Sequence, residues 1–218
     1  MRTLAILAAA ALTAAQEDGP PVLLTEDFEG GAARWEPTDP AAWKIVETPS
    51  GKIYSQFRKS AYEPPHRSPL NIALLKDVVV GDFVLEARVR STARDYNHRD
   101  VCVIFGYQDP ARFYYTHLGK KADDHAHQIF IVNGAPRRKI SSRTTEGTPW
   151  TDGWHRIRVT RRVSDGRIEV FFDDFSRPVQ TAEDRTFAWG RVGLGTFDDT
   201  ADWDDVVLRG VRVEPPPK

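Results

Sequence analysis

The stretch "DFVLEARVR" (residues 82–90) largely alternates apolar residues with charged ones, and "WHRIRVT" (residues 154–160) repeats the pattern. Side chains two apart on a β-strand point to the same face of a sheet. Each stretch therefore predicts a strand with one buried face, formed by Phe83, Leu85, Ala87 and Val89 in the first and by His155, Ile157 and Val159 in the second.

The opposite faces of these two strands carry charge. If the strands are neighbours, Glu86 lies among the guanidinium groups of Arg88, Arg156 and Arg158, and we expect cross-strand ion pairs. Such a surface is either a solvated charge ladder or an anion-binding patch. Glu86 is not a candidate catalytic residue on either interpretation.

Similar runs recur along the chain, including "NIALLKDVVV", "DVCVIFGYQ", "RIEVFFDD" and "RVGLGTF", and turn signals such as Asn-Gly and Ser-Asp-Gly separate them. No sustained helical period follows the N-terminal apolar run. The pattern predicts an all-β protein, a two-sheet antiparallel β-sandwich over residues 25–214. We expect a linker over residues 16–24, a long loop over the proline-containing residues 56–71, and a frayed tail over residues 215–218.

The first 15 residues are typical of a secretory signal peptide. Arg2 precedes an apolar run that is too short to span a bilayer, and small residues precede a polar break. We therefore expect a secreted or periplasmic protein with no membrane span after cleavage. Cys102, the single cysteine, lies in an apolar run and is expected to be a buried core side chain.

Charge argues against nucleic acid as a partner. The 218 residues include 30 basic and 31 acidic ones, for a net charge of −1. A protein that binds the phosphate backbone needs a basic surface, and this balance provides no global one.

The segment of residues 153–210 contains a Trp-His strand, a glycine-turn hairpin into "IEVFFDD", the strand "GRVGLGTF" and a closing "ADWDDVVL". Together with "DFEGGAARW" (residues 27–35), it resembles concanavalin A-like, laminin-G-like jelly rolls, including the family described as 3-keto-disaccharide hydrolases. The resemblance implies a curved sheet whose concave face binds saccharide. It does not extend to the paired carboxylates of laminarinase-type glucanases, because "FYYTHL" and "HQIFIV" contain no acidic residue.

Residues 112–134, "RFYYTHLGKKADDHAHQIFIVNG", hold three of the six histidines. They could form a metal site, a sugar-binding or catalytic polar cluster, or a structural hairpin. Alternation puts residues two apart on one face, which gives one histidine set in each predicted strand: Phe113, Tyr115 and His117 in the first, and His125, His127, Ile129 and Ile131 in the second. We expect at least two of the three imidazoles to share a pocket with Tyr115 or Tyr107. The candidate catalytic residues are His117, His125, His127 and Tyr115, and the candidate ligand-binding residues are Tyr107, Tyr114 and Gln128.

Acidic residues are dense near both ends of the predicted sandwich, in the run "DDTADWDDV" (residues 198–206) near the C-terminus and at Glu26, Asp27 and Glu29 near the N-terminus. Calcium prefers several oxygen ligands, and terminal strands of a jelly roll can lie side by side. The alternative is a set of solubilising turn aspartates. The candidate calcium ligands are Asp27, Glu29, Asp204 and Asp205.

Three functions fit these patterns. The first is a carbohydrate-binding protein that engages a glycan on its concave sheet. The second is a 3-keto-disaccharide hydrolase-type enzyme, in which one histidine abstracts a proton next to a ketone. The third is a structural cell-surface interaction domain.

Overall fold

A computed structural model describes residues 19–216, so the predicted signal peptide lies outside the described residues. Two antiparallel sheets pack as a sandwich with 51% strand and 2% helix, which confirms the predicted fold class. Within residues 19–216, the single helical element is the short 3-10 turn Pro40–Ala42, and no helix has the length and apolar character needed to cross a membrane.

The strands are β1 (Val22–Glu26), β2 (Trp35–Pro37), β3 (Trp43–Thr48), β4 (Gly51–Gln56), β5 (Asn71–Leu75), β6 (Val80–Ser91), β7 (Cys102–Asp109), β8 (Arg112–His117), β9 (Gln128–Asn133), β10 (Arg138–Lys139), β11 (Ser141–Thr144), β12 (His155–Arg162), β13 (Arg167–Phe172), β14 (Gln180–Glu183), β15 (Arg191–Thr196) and β16 (Ala201–Arg212). The first strand thus begins at residue 22, within the segment expected to be a linker.

The first sheet has the order β11-β14-β13-β12-β6-β16-β4-β3, with β1 paired to β16. The second sheet has the order β10-β9-β8-β7-β15-β5-β2. Because the strands are antiparallel, β5, β7 and β9 begin at the end of the second sheet where β8 and β15 finish. We call this end of the strands the polar end of the second sheet, and the candidate site lies there.

The charged strands β6 and β12 are neighbours, as their patterns predict. Arg158 pairs with Glu86 across the ladder, and its Nη2 lies 2.6 Å from Glu86 Oε1. Arg156 Nη2 lies 3.5 Å from the other oxygen of the same carboxylate. The expected cross-strand ion pairs are therefore confirmed, on the outer face of the first sheet.

The main core lies between the sheets. It buries the predicted apolar faces of β6 and β12, including Leu85, Val89 and Val159, together with the indole of Trp203, all at 0% exposure. Burial of such a side chain stabilises the fold by about 1.5–3 kcal/mol. These contacts join residues that are far apart in the chain, so the two sheets depend on one another.

The second sheet is apolar on its outer face as well. The set on this outer face is Ile72, Leu74, Cys102, Ile104, Tyr107, Phe113, Tyr115, Phe130 and Val132. Residues 57–70, which lie within the loop expected from the sequence, run against this face. The carbonyl of Arg67 accepts from Arg137 N, and Leu70 N donates to Phe197 O. The outer face is therefore covered by the chain itself.

Gly195 on β15 has no room for a side chain, because a Cβ there would collide with the carbonyl oxygen of Asn71 on β5. We predict that Gly195→Ala lowers the free energy of unfolding by about 1–3 kcal/mol, as overpacking against backbone does. Thermal unfolding of both variants would measure this. Gly30→Ala is the control, because no atom lies within 4 Å of its Cβ position. Equal melting temperatures for the two variants would contradict the prediction.

Candidate functional site

The register of β8 and β9 decides where the histidines point. His117 pairs with Gln128, and Tyr115 pairs with Phe130, so these four side chains lie on the outer face of the second sheet. His127 directly precedes Gln128 and has the opposite orientation, with a left-handed φ of 55°. The alternation within each strand is as predicted, but the two histidine sets face opposite sides of the sheet.

His127 is a buried residue at the end of the inter-sheet core. Its Nδ1 lies 3.0 Å from Thr148 Oγ1 and 3.3 Å from Gln180 Nε2, and its Nε2 lies 2.9 Å from Thr145 Oγ1. Burial lowers the pKa of His127 to about 4. The imidazole is therefore neutral near pH 7 and bridges two loops to β14.

His117 is on the outer face but is also buried, at 4% exposure. Its Nδ1 accepts from the backbone of His127 at 3.3 Å, and its Nε2 lies 3.5 Å from Asp100 Oδ2. Burial, followed by the nearby Arg137, lowers the pKa of His117 to about 3. The ring has the neutral form that a base requires, but little of its surface reaches solvent.

The third histidine has a different environment. His125 is exposed, in the turn between β8 and β9, and its carbonyl accepts from Arg137 Nη2 at 3.0 Å. His117 and His127, whose rings lie on opposite faces of the second sheet, therefore do not form the shared pocket that the sequence predicts. The register of β8 and β9 separates the rings of His117 and His127.

The candidate ligand-binding residues divide between the two faces. Tyr107 and Gln128 lie on the outer face, where Gln128 Nε2 donates to the carbonyl of Asp123 at 2.8 Å. Tyr114 points into the inter-sheet core, and its hydroxyl donates to Asp184 Oδ1 at 2.6 Å. Burial and the neighbouring Tyr62 of the covering loop raise the pKa of Tyr107.

Arg137 organises the polar end of the outer face. Its guanidinium carbon lies 4.5 Å from the ring centroid of Phe130 and 4.3 Å from that of Phe197. Its Nη1 donates to the hydroxyl of Tyr115 at 2.8 Å. This half-buried guanidinium joins the tyrosine predicted from the sequence to two aromatic rings that the sequence analysis did not select.

A carboxylate cluster lies beside this group. One oxygen each from Asp100, Asp198 and Asp199 falls within 4.8 Å of the others. Asp100 is fully buried, and burial together with the neighbouring Asp199 raises its pKa well above its usual value. Cys102, the buried single cysteine, donates from Sγ to Asp100 Oδ2 at 3.3 Å. Asp100 and Arg137 have no sequence signal, because each lies in a loop with no recognisable motif.

The four predicted calcium ligands, Asp27, Glu29, Asp204 and Asp205, have different environments. Burial raises the pKa of Asp204; a hydrogen bond from Asp205 N lowers it, and the nearby charges of Asp205 and Asp27 raise it. Glu29 Oε1 accepts from Lys52 N at 2.6 Å, and Asp205 Oδ2 accepts from Arg88 Nη1 at 2.8 Å. Glu29 and Asp205 therefore bind other groups of the protein.

A cavity of about 270 Å³ opens on the outer face of the first sheet. Its lining includes Trp154, whose indole packs against the guanidinium groups of Arg88 and Arg90 at 4.8 and 5.2 Å. Arg90 is paired with Asp202, and Arg88 with Asp205. Both guanidinium charges are thus already compensated.

The fold is a jelly-roll β-sandwich. A carbohydrate-binding module, CBM66 from Bacillus subtilis, has the same fold with a TM-score of 0.57 at 19% identity, covering 81% of this chain and 96% of that one. Domain 4 of AbnA, a GH43 extracellular arabinanase from Geobacillus stearothermophilus solved in complex with arabinotriose, has a TM-score of 0.56 at 11% identity, covering 91% and 96%.

A protein of unknown function with a galectin-like fold, also from Bacillus subtilis, has a TM-score of 0.59 at 10% identity, covering 90% of this chain and 99% of that one. No family model and no curated protein matches the sequence. At these identities the structural likeness establishes the fold, and function has to be argued from the site.

We predict a structural role for His127. His127→Ala removes hydrogen bonds to buried partners and should lower the free energy of unfolding by about 2–4 kcal/mol. His125→Ala, at an exposed position, should change it by less than about 0.5 kcal/mol. Denaturant unfolding of both variants tests this. Equal stability of the two variants would contradict the assignment.

The lowered pKa of His127 also predicts a pH dependence. Since the unfolded chain takes up a proton on this ring below about pH 6.5 and the folded chain only below about 4, the stability contributed by the neutral ring is lost as the pH falls through this window. The wild-type protein should therefore lose up to about 3 kcal/mol relative to His127→Gln between pH 6.5 and 4. The difference between the two unfolding free energies, measured across this range, cancels the groups that both proteins share. A constant difference would contradict the prediction.

Proposed function

We propose that this protein binds glycans on the concave sheet that the family resemblance implies. We further propose that the second sheet is this sheet and that its polar end is the binding surface. Its centre is Arg137, and its rim consists of Arg67, His125, Phe197 and Asp198. The observation that carries the proposal is the guanidinium of Arg137, held between two aromatic rings and hydrogen-bonded to Tyr115.

The chemistry of this surface suits a sugar. Saccharides are bound by aromatic faces together with a few fixed polar groups. The guanidinium presents several donors in a rigid plane, and its contacts to Tyr115 and to the His125 carbonyl fix that plane before a ligand arrives. His125 and Asp198 are exposed and can exchange hydrogen bonds with sugar hydroxyls.

Binding is better supported than catalysis at this surface. Proton abstraction by His117 needs its ring at the substrate, and the ring is 4% exposed beneath neighbours that include Phe197, whose centroid is 5.9 Å away. The hydroxyl of Tyr115, the expected partner of the base, is engaged by Arg137. A 3-keto-disaccharide hydrolase-type activity would therefore require these groups to move.

The likeness to solved structures agrees with this proposal. CBM66 is a carbohydrate-binding module, and domain 4 of AbnA belongs to an arabinanase. A glycan ligand is usually encountered outside the cell, which fits the predicted signal peptide and a secreted or periplasmic location. Carbohydrate is thus the proposed partner.

A glycan array followed by calorimetric titration of the strongest ligand tests the proposal. We predict that Arg137→Ala weakens binding at least about tenfold, which corresponds to about 1.4 kcal/mol. Arg137→Lys should also weaken binding, because an ammonium keeps the charge but not the planar donor set. Arg138→Ala, at the exposed neighbouring position, is the matched control and should bind like the wild type.

Two results would contradict the proposal. One is unchanged affinity in Arg137→Ala, and the other is loss of affinity in Trp154→Ala instead, which would move the site to the cavity on the first sheet. The same protein should be assayed for turnover of a 3-keto-disaccharide. Turnover that His117→Gln abolishes would replace the binding proposal with the enzymatic one.

A further inference from the structure

One buried oxygen of the carboxylate cluster at the polar end lacks a hydrogen-bond partner among the described residues. Asp100 Oδ2 accepts from Phe197 N at 2.8 Å and from Cys102 Sγ, and it lies near His117 Nε2. The other oxygen, Oδ1, is buried and has no hydrogen-bond partner among the described residues. A buried carboxylate oxygen without a partner is costly, and native proteins rarely keep one.

Carboxylate oxygens are concentrated here, and no lysine or arginine of residues 19–216 forms an ion pair with them. Asp100, Asp198 and Asp199 each bring an oxygen to within 4.8 Å of the others. Within residues 19–216, the side chain at ion-pair distance from the cluster is that of His117, whose Nε2 lies 3.5 Å from Asp100 Oδ2. Three carboxylates at this separation repel one another unless protons or a metal ion lie between them.

The cluster is also held in place. Asp199 Oδ1 accepts from Tyr96 Oη at 2.8 Å, and its Oδ2 accepts from Asp100 N at 2.9 Å. The carbonyl of Asp199 accepts from Asn71 Nδ2 and from Thr196 Oγ1, which fixes the turn between β15 and β16. Such fixed oxygens form a site whose geometry exists before an ion enters.

We propose that Asp100, Asp198 and Asp199 form a binding site for a divalent cation of the calcium class. All the donors are hard oxygens, which such ions prefer, and calcium accepts irregular arrangements of six to eight of them. Asp198 is exposed, so water can reach the site and complete the shell. The ion would give Asp100 Oδ1 its missing partner and neutralise the buried charge.

This site differs from the one expected from the sequence. Asp198 and Asp199 belong to the acidic run near the C-terminus, but Asp27, Glu29, Asp204 and Asp205 are not members of the cluster. The proposal does not depend on glycan binding, and calcium alone tests it.

The test is thermal unfolding of the full protein after treatment with a chelator, with calcium chloride then added. The melting temperature should rise with calcium concentration, and above the dissociation constant it should keep rising with the logarithm of that concentration, because an ion that binds the folded state stabilises it by mass action. Asp198→Asn, which removes the exposed ligand, should weaken calcium binding at least tenfold. Asp204→Asn is the matched control and should keep the full calcium-dependent rise.

Asp100→Asn is the second variant, because it keeps the shape and removes the buried charge. Without calcium it should melt at or above the temperature of the chelated wild type, and added calcium should not raise it. The proposal is overturned if calcium leaves the wild type unchanged, if both Asp198→Asn and Asp100→Asn keep the rise, or if Asp204→Asn is the variant that loses it.

Discussion

The burial of both faces of the second sheet is the constraint on which the rest of the structure depends. Its inner face meets the first sheet, and its outer face carries a second apolar set that includes Ile104, Phe113 and Phe130. Burying an aromatic side chain contributes about 1.5–3 kcal/mol, so exposing this set would remove much of the net stability of a domain. The chain therefore needs a cover, which residues 57–70 supply in part.

This double burial explains why alternation was a good guide in one sheet and an incomplete one in the other. Strands β6 and β12 each have one solvent-exposed face, and the charged residues Glu86 and Arg158 identify this face in the sequence. The pairing of the two strands could therefore be predicted from their charge pattern. Strands β7 and β9 are apolar on both faces, and their pattern does not say which side meets the other sheet. The fold class was predictable, and the orientation of the candidate site was not.

Register is the second quantity that the sequence did not determine. The alternate sets of β8 and β9 were assigned correctly, but whether His117 lies opposite Gln128 or opposite its neighbour depends on the turn. A shift of one residue would have put His127 on the outer face beside His117. The observed register puts His127 among Thr145, Thr148 and Gln180 instead, where its imidazole serves as a bridge between loops.

The polar groups that the sequence analysis missed have a common origin. Asp100 lies before β7 and Phe197 after β15, so both lie in loops at the polar end and become neighbours through antiparallel pairing. Arg137 lies in the loop that leaves the opposite end of β9, and its side chain extends to the polar end. Because the middle of the outer face is apolar and covered, groups able to meet a ligand remain at the polar end, either in its loops or, for Arg137, on a side chain that reaches it. The fold that buries the predicted tyrosines thus brings the Arg137 guanidinium and the carboxylates together at the polar end. A polar ligand and a cation would therefore bind at adjoining parts of the polar end.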